Sequence, residues 1–326
     1  MERALPESVR SSVKQELYKK MRTMEISASQ VGDTRPLPTA VFSPDCSLIA
    51  SCSWSGLAKL WTMPTLDPIR SLRGHNCNVC DIKFHPRSTI SASKTELNLA
   101  SCSTDGAVHL WSLDNDEPIT SLDGHAPHRV ARVAFHPSGN YLATTCFDKS
   151  WRLFDIETKE EILYQEGHSK EVFDVAFQCD GALAVTGGLD GYGRVWDLRT
   201  GRCVMFMEGH LKGIISVYFS PNGYQLATGS EDHAVKVWNL RQRRCEYTIP
   251  AHTNVVSRVL FEKSSGHYLI TASYDKSVKL WSSPNYTPVH TLQGHDNKIM
   301  SVDVTPDSKY LLTSSFDRTF KLWAPE

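Results

Sequence analysis

The chain has 326 residues, a formal net charge of −1 and 22% charged residues, so nothing in its overall balance draws it to nucleic acid. Any contact with RNA would have to come from a local patch or through a partner. Nine scattered cysteines, an odd number, argue against a complete disulfide framework and fit a reducing compartment, the cytosol or nucleus.

The first stretch, PESVRSSVKQELYKKMR, is charged throughout and lacks the apolar segment of a signal peptide. Val9, Val13, Leu17 and Met21 recur at four-residue spacing, which predicts a helix, and Pro6 suits its first turn. This segment, 1–22, is expected to lay its apolar stripe on the domain that follows, 23–326; the sharper reading makes it a connector to an upstream region. No later apolar run approaches the length that spans a bilayer.

From residue 23 onward the chain repeats itself. Gly-His occurs at 74–75, 124–125, 167–168, 209–210 and 294–295, with Ala251-His252 filling one gap. An aromatic closes each unit: Trp61, Trp111, Phe154, Trp196, Trp238, Trp281 and Trp323, at intervals of 42 or 43 residues and one of 50. Six residues before each closing aromatic stands Asp105, Asp148, Asp190, Asp232, Asp275 or Asp317, with Ser55 in the first unit. Four residues earlier a hydroxyl recurs, at Ser51, Ser101, Thr144, Thr186, Thr228, Thr271 and Thr313. In the first unit Asp33 stands where the others have histidine.

Taken alone, His210, Thr228 and Asp232 have the composition of a hydrolytic triad. Seven copies argue otherwise, because an active site is normally built once, whereas a structural brace recurs with its unit. Within a unit, runs such as IISVYF, YQLATGS and AVKVW are short, β-branched or aromatic, and bounded by turn residues, as strands are. Their imperfect alternation fits sheets packed on both faces. Pro44, Pro86, Pro137, Pro221 and Pro306 follow the first strand, where a missing N–H does no harm.

These recurrences resemble the WD-repeat family, which implies an all-β fold: a seven-bladed β-propeller. The resemblance implies a hydrogen-bonded chain from Trp through Ser or Thr and His to Asp. The implied structural quartets are His75, Ser101, Asp105 and Trp111; His168, Thr186, Asp190 and Trp196; His210, Thr228, Asp232 and Trp238; His252, Thr271, Asp275 and Trp281; and His295, Thr313, Asp317 and Trp323. The last unit stops at Trp323-Ala-Pro-Glu, before a fourth strand. MEISASQVGD, 24–33, holds the place that PIRSLRGH, PITSLDGH and EILYQEGH hold elsewhere, so this N-terminal strand is expected to complete the seventh blade.

The runs SSVKQELYKKMRTMEISASQVGDTRPL, WRLFDIETKEEIL, GGLDGYGRVWDLRTGRC, RQRRCEYTIPAH and SFDRTFKLW are together similar to the pre-mRNA-processing factor 4 family of WD-repeat proteins. That resemblance implies a non-catalytic scaffold of the spliceosomal U4/U6 (U4/U6·U5) small nuclear ribonucleoprotein, located in the nucleus and acting in pre-mRNA splicing. The match corresponds to the C-terminal part of the family. Implied partners are processing factor 3 and the spliceosomal cyclophilin, the latter through the family's upstream half, with U4/U6 RNA contacted mainly indirectly.

In a propeller the residue before the turn aspartate lies on the face where the central channel opens. Trp54, Phe147, Leu189, Tyr274 and Phe316 hold such positions and form a candidate partner face, set against partial burial under loops. Arg199, Arg202, Arg241, Arg243 and Arg244 form a candidate phosphate patch, set against a solvated turn. RSTISASKTELN, 87–98, reads as a surface insertion in the second unit. Cys77 and Cys80 with His75 and His85 resemble half a zinc site, but no second pair has the spacing, so no metal and no cofactor are expected. Trp196-Asp197-Leu198-Arg199 is similar to the docking box of some cullin ubiquitin-ligase substrate receptors, the alternative function. An enzyme is the weakest reading, since the chain offers no phosphate loop and no unrepeated nucleophile set.

Overall fold

The computed structural model describes residues 7–326, with side chains from residue 11 onward: a helix, α1 (Glu7–Arg22), and seven four-stranded antiparallel sheets. Pro6 and the Val9 side chain lie outside the described residues. Each sheet is a blade that runs outward from an inner strand. In the fifth, Ile214–Phe219 pairs with Gln225–Ser230, then Val235–Asn239, then Arg244–Ile249. The inner strands Thr39–Phe42, Val79–Phe84, Val130–Phe135, Val172–Phe177, Ile214–Phe219, Val256–Phe261 and Ile299–Val304 each contact the next, and the last contacts the first. The ring is therefore closed.

Inner strands are covered on both faces by neighbouring blades, which is why their sequences do not alternate cleanly. Val256–Phe261 and Tyr268–Ser273 are buried at every position, while the outermost Arg244–Ile249 is largely exposed. Apolar clusters straddle the junctions: Ala227 and Val235 of the fifth blade pack with Val256 and Val259 of the sixth. All five post-strand prolines line one mouth of the central channel, a cavity of about 530 Å³.

The seventh blade is built from both ends of the chain. β1 (Met24–Val31) is its outermost strand, antiparallel to Thr319–Pro325, with Val31 opposite Thr319 and Met24 opposite Pro325. The sequence reading carried this strand to Asp33, but it ends at Val31. A Cβ at Gly32 would stand 2.5 Å from Leu37 Cδ1, so a larger residue there would force the buried Leu37 side chain to shift, and Asp33 turns into the first blade.

Two sets of polar contacts tie blade to blade. Beside the channel, the Asp81, Asp174 and Asp303 carboxylates accept the N–H of Val133 (3.3 Å), Val217 (2.9 Å) and Phe42 (2.9 Å), each on the next inner strand. The Ser216 hydroxyl accepts Val259 N–H at 3.1 Å in the same manner. Arg258 reaches Asp174 at 2.9 Å, and Lys263 reaches Asp303 at 2.7 Å, so these buried carboxylates are paired. On the proline-bearing side, His85, His136 and Gln178 bond the turn carbonyls of Gly139, Gly181 and Gly223 at 2.9, 3.0 and 2.5 Å.

α1 lies across the sixth and seventh blades. Met21 is fully buried, and Leu17 and Tyr18 pack on the same apolar cluster, whereas Val13 at the upper end of the stripe is exposed. Tyr18, outside the stripe, donates its hydroxyl to the His267 carbonyl at 2.8 Å and accepts Ser283 N–H at 3.2 Å. The seat is therefore partly polar. Deleting residues 24–31 strips the pairing from Thr319–Pro325 and should lower the melting temperature and promote aggregation; an unchanged thermal transition would count against closure through β1.

Candidate functional site

The recurring polar groups have the composition of a catalytic centre. In the fifth blade the Trp238 indole donates to the Thr228 hydroxyl at 2.9 Å. That hydroxyl lies 2.7 Å from His210 Nε2, and His210 Nδ1 lies 2.8 Å from Asp232 Oδ2. The network assigns the proton to Nδ1, since the hydroxyl that accepts from the indole is free to donate to Nε2. The same chain links Trp196, Thr186, His168 and Asp190, with the imidazole 3.1 Å from the carboxylate. It recurs through Trp281, Thr271, His252 and Asp275, and through Trp323, Thr313, His295 and Asp317.

In these blades the hydroxyl is sealed: Thr186, Thr228, Thr271 and Thr313 are fully buried. A nucleophile that no substrate can reach does not define a reaction site, whereas a buried relay ties the outer sheet to the loop entering it. Burial works to raise the Asp232, Asp275 and Asp317 pKa values. The hydrogen bond from His210, His252 or His295, with further donors, outweighs it and carries all three below the usual carboxylate range.

Three blades depart from the pattern. In the second, His75 Nε2 meets Ser101 at 2.6 Å and Trp111 donates to Ser101 at 2.8 Å, but Asp105 does not receive His75. His75 Nδ1 is buried without a partner, the ring stacks on His109 at 4.2 Å, and Asp105 accepts Ala107 N–H instead. Burial, helped by His109, pushes the His75 pKa down to about 3. The expected quartet is thus cut to three there. In the first blade the acid and hydroxyl trade places: Ser55 donates to Asp33, which also lies 3.4 Å from Lys59. In the third, Phe154 has no N–H to give, and Arg152 takes Asp148 at 2.9 Å.

The positions before the turn aspartates share one geometry. Trp54, Thr104, Phe147, Leu189, Glu231, Tyr274 and Phe316 each donate the backbone N–H to a carbonyl of the loop entering their own blade, at 2.8 to 3.1 Å. That bond sets all seven on one face of the ring. Trp54, Phe147, Leu189, Tyr274 and Phe316 are half-buried. Trp54 and Phe316 meet edge-on at 5.5 Å, Arg129 lies over Phe147 at 4.9 Å, and Lys298 over Tyr274 at 5.0 Å. Sequence reasoning missed Arg129 and Lys298, whose loops carry no periodic signal. Two residues beyond four of these seven positions, Lys149, His233, Lys276 and Arg318 hold φ of 72°, 71°, 70° and 72°, where the other three blades have glycine. Left-handed backbone is costly for such side chains.

Arg199 and Arg202 flank the turn after Gly193–Asp197, and Arg241, Arg243 and Arg244 the equivalent turn after Val235–Asn239; all five are exposed. Arg241 stacks on Tyr224 at 4.4 Å. Within Trp196-Asp197-Leu198-Arg199, Asp197 closes its own turn by accepting Arg199 N–H at 2.9 Å and the Thr200 hydroxyl at 3.0 Å. The 87–98 insertion is an ordered loop: buried Asn98 donates to the Ser93 and Glu96 carbonyls at 2.8 Å, and Thr89 reaches Asp45 of the first blade at 2.7 Å.

The chain matches the family described as WD domain, G-beta repeat, at residues 28–62, 66–112, 116–155, 159–197, 201–239, 243–282 and 286–324. It belongs to that family, as a seven-bladed WD-repeat β-propeller. Among curated relatives it is 55% identical over 99 residues to the U4/U6 small nuclear ribonucleoprotein Prp4 of Bos taurus, covering 30% of this chain and 19% of that protein. It is 34% identical over 149 residues to U4/U6 small nuclear ribonucleoprotein PRP4 of Saccharomyces cerevisiae, covering 45% and 31%. To a PRP4-like protein of Arabidopsis thaliana it is 47% identical over 82 residues, covering 24% and 15%. The matched segments thus span less than a third of each relative.

His210→Ala removes the imidazole donor of the Asp232 carboxylate, leaving it the Leu211 and Ala234 N–H groups, and should cost about 3 kcal/mol in denaturant unfolding. Because the Asp232, Asp275 and Asp317 pKa values are depressed in the fold, their contribution is complete above the unfolded value of about 4 and is lost as pH falls toward the folded values. Stability should therefore fall from about pH 4 downward, and Asp232→Asn should shallow that acid limb; an identical limb in wild type and variant would argue against the linkage.

Proposed function

We propose that the chain is a non-catalytic interaction scaffold of the spliceosomal U4/U6 (U4/U6·U5) small nuclear ribonucleoprotein, acting in the nucleus in pre-mRNA splicing. One observation carries the scaffold reading: the groups with catalytic composition are spent inside the blades, while aromatic side chains gather on one outer face. The U4/U6 assignment rests on the similarity to the Prp4 proteins.

The face of Trp54, Phe147, Leu189, Tyr274 and Phe316 is the partner surface in this reading. Half-buried aromatics are already ordered by their neighbours, so docking on them loses little side-chain freedom. Processing factor 3 is the expected occupant of the complex, and the cyclophilin contact belongs to a region upstream of this part of the family. RNA is reached mainly through partners. The exposed Arg199, Arg202, Arg241, Arg243 and Arg244 offer a secondary, salt-sensitive contact.

The test is affinity capture from nuclear extract with the wild-type chain and the Trp54→Ala/Phe147→Ala double variant. The wild type should recover U4/U6 proteins and RNA, and the variant should recover several-fold less while keeping its melting temperature. Equal recovery by both would remove the aromatic face from the proposal, and recovery of a cullin adaptor in place of U4/U6 components would replace the proposal altogether.

A further inference from the structure

The third blade departs from its six neighbours at two residue positions and in one contact. Phe154 stands where the others have tryptophan, and Cys146 where Ser53, Ser103, Gly188, Ser230, Ser273 and Ser315 stand. Arg152 takes the turn aspartate, with its Nη2 2.9 Å from Asp148 Oδ2. These changes have a joint consequence for His125. No indole donates to Thr144, so that hydroxyl is free to accept His125 Nε2–H, across 2.7 Å. The imidazole then presents a lone pair at Nδ1, the reverse of the tautomer in blades four to seven.

Nδ1 has no hydrogen-bond partner, although His125 is only 1% exposed. Among the described residues His75 and His109 also bury an unpartnered Nδ1, but only that of His125 meets a thiol and a carboxylate. Cys146 is also fully buried, and the donor atoms of His125, Cys146 and Asp148 all lie within 4.8 Å of one another. Among the described residues no other group of three such side chains comes together this way.

We propose that His125 Nδ1, Cys146 Sγ and a carboxylate oxygen of Asp148 form a binding site for a thiophilic divalent cation of the Zn²⁺ type. Nitrogen, sulfur and oxygen donors in one cluster match the preference of zinc, with water as the fourth ligand. The Thr144 hydroxyl on Nε2 is the outer partner that fixes the ring and its tautomer. Binding exchanges the thiol proton, released to solvent, for a metal–sulfur bond. Charge then balances: the thiolate, Asp148 and Glu161 carry three negative charges, and Arg152, 3.1 Å from Glu161, with the ion carries three positive. Because the thiol proton must leave for the ion to bind, metal uptake should weaken as pH falls. This site departs from the sequence expectation of no metal.

The probe is Co²⁺, added to the intact chain under reducing, oxygen-free conditions. A thiolate-to-cobalt absorption band should appear and saturate at one ion per chain, and excess Zn²⁺ should abolish it. Cys146→Ser, which installs the residue used at the equivalent position of five other blades, should remove the band while the chain stays folded by circular dichroism. Thr144→Val should weaken the apparent affinity at least tenfold. No band in the wild type, or an unchanged band in Cys146→Ser arising from the exposed Cys77, Cys179 and Cys203, would overturn the site.

Discussion

The pairing of β1 with Thr319–Pro325 is the constraint on which the rest depends. Six blades are made of consecutive strands and could form from local contacts alone. The seventh cannot, because its outer strand lies almost three hundred residues from its neighbour in sequence. Without it the ring has an unpaired edge in its last blade. With it, every inner strand has a neighbour on both sides, and the buried faces that the sequence encodes all find cover.

Closure also explains how the channel is stabilised. An aspartate beside the channel is expensive unless something compensates it. Asp303 accepts Phe42 N–H, so a residue of the seventh blade depends on a donor of the first, and that bond exists only once the ring has closed. Asp174 takes Val217 N–H from the next blade and Arg258 from the one after. The polar contacts thus register blades against each other, while the His–Asp relays fix strands within blades four to seven. One system runs around the ring and the other lies within single sheets.

Similar units allow local specialisation. A blade braced by apolar packing on both faces tolerates a changed quartet, as in the second, where His75 stacks on His109, and the third, where Phe154 replaces the indole. A repeat protein can therefore vary one unit's interior or one face's side chains without disturbing the others. The four non-glycine residues held at positive φ on the aromatic face belong to the same economy: the turn accepts their strain because the strands on either side are fixed.

The sequence by itself determined the number of units, the place of each turn aspartate and hydroxyl, and the need for an N-terminal strand, because these follow from spacing along a local unit. It also marked the first unit as irregular through Asp33 and Ser55. Only the tertiary structure decided which histidines meet their aspartates. His75 and Asp105 hold the expected places in their repeat, yet His75 stacks on His109 and Asp105 accepts Ala107 N–H instead. The caps between inner strands, the cations over Phe147 and Tyr274, and the meeting of His125 with Cys146 and Asp148 were likewise invisible in sequence. Each depends on the distance between groups brought together by packing, and no periodicity records that distance.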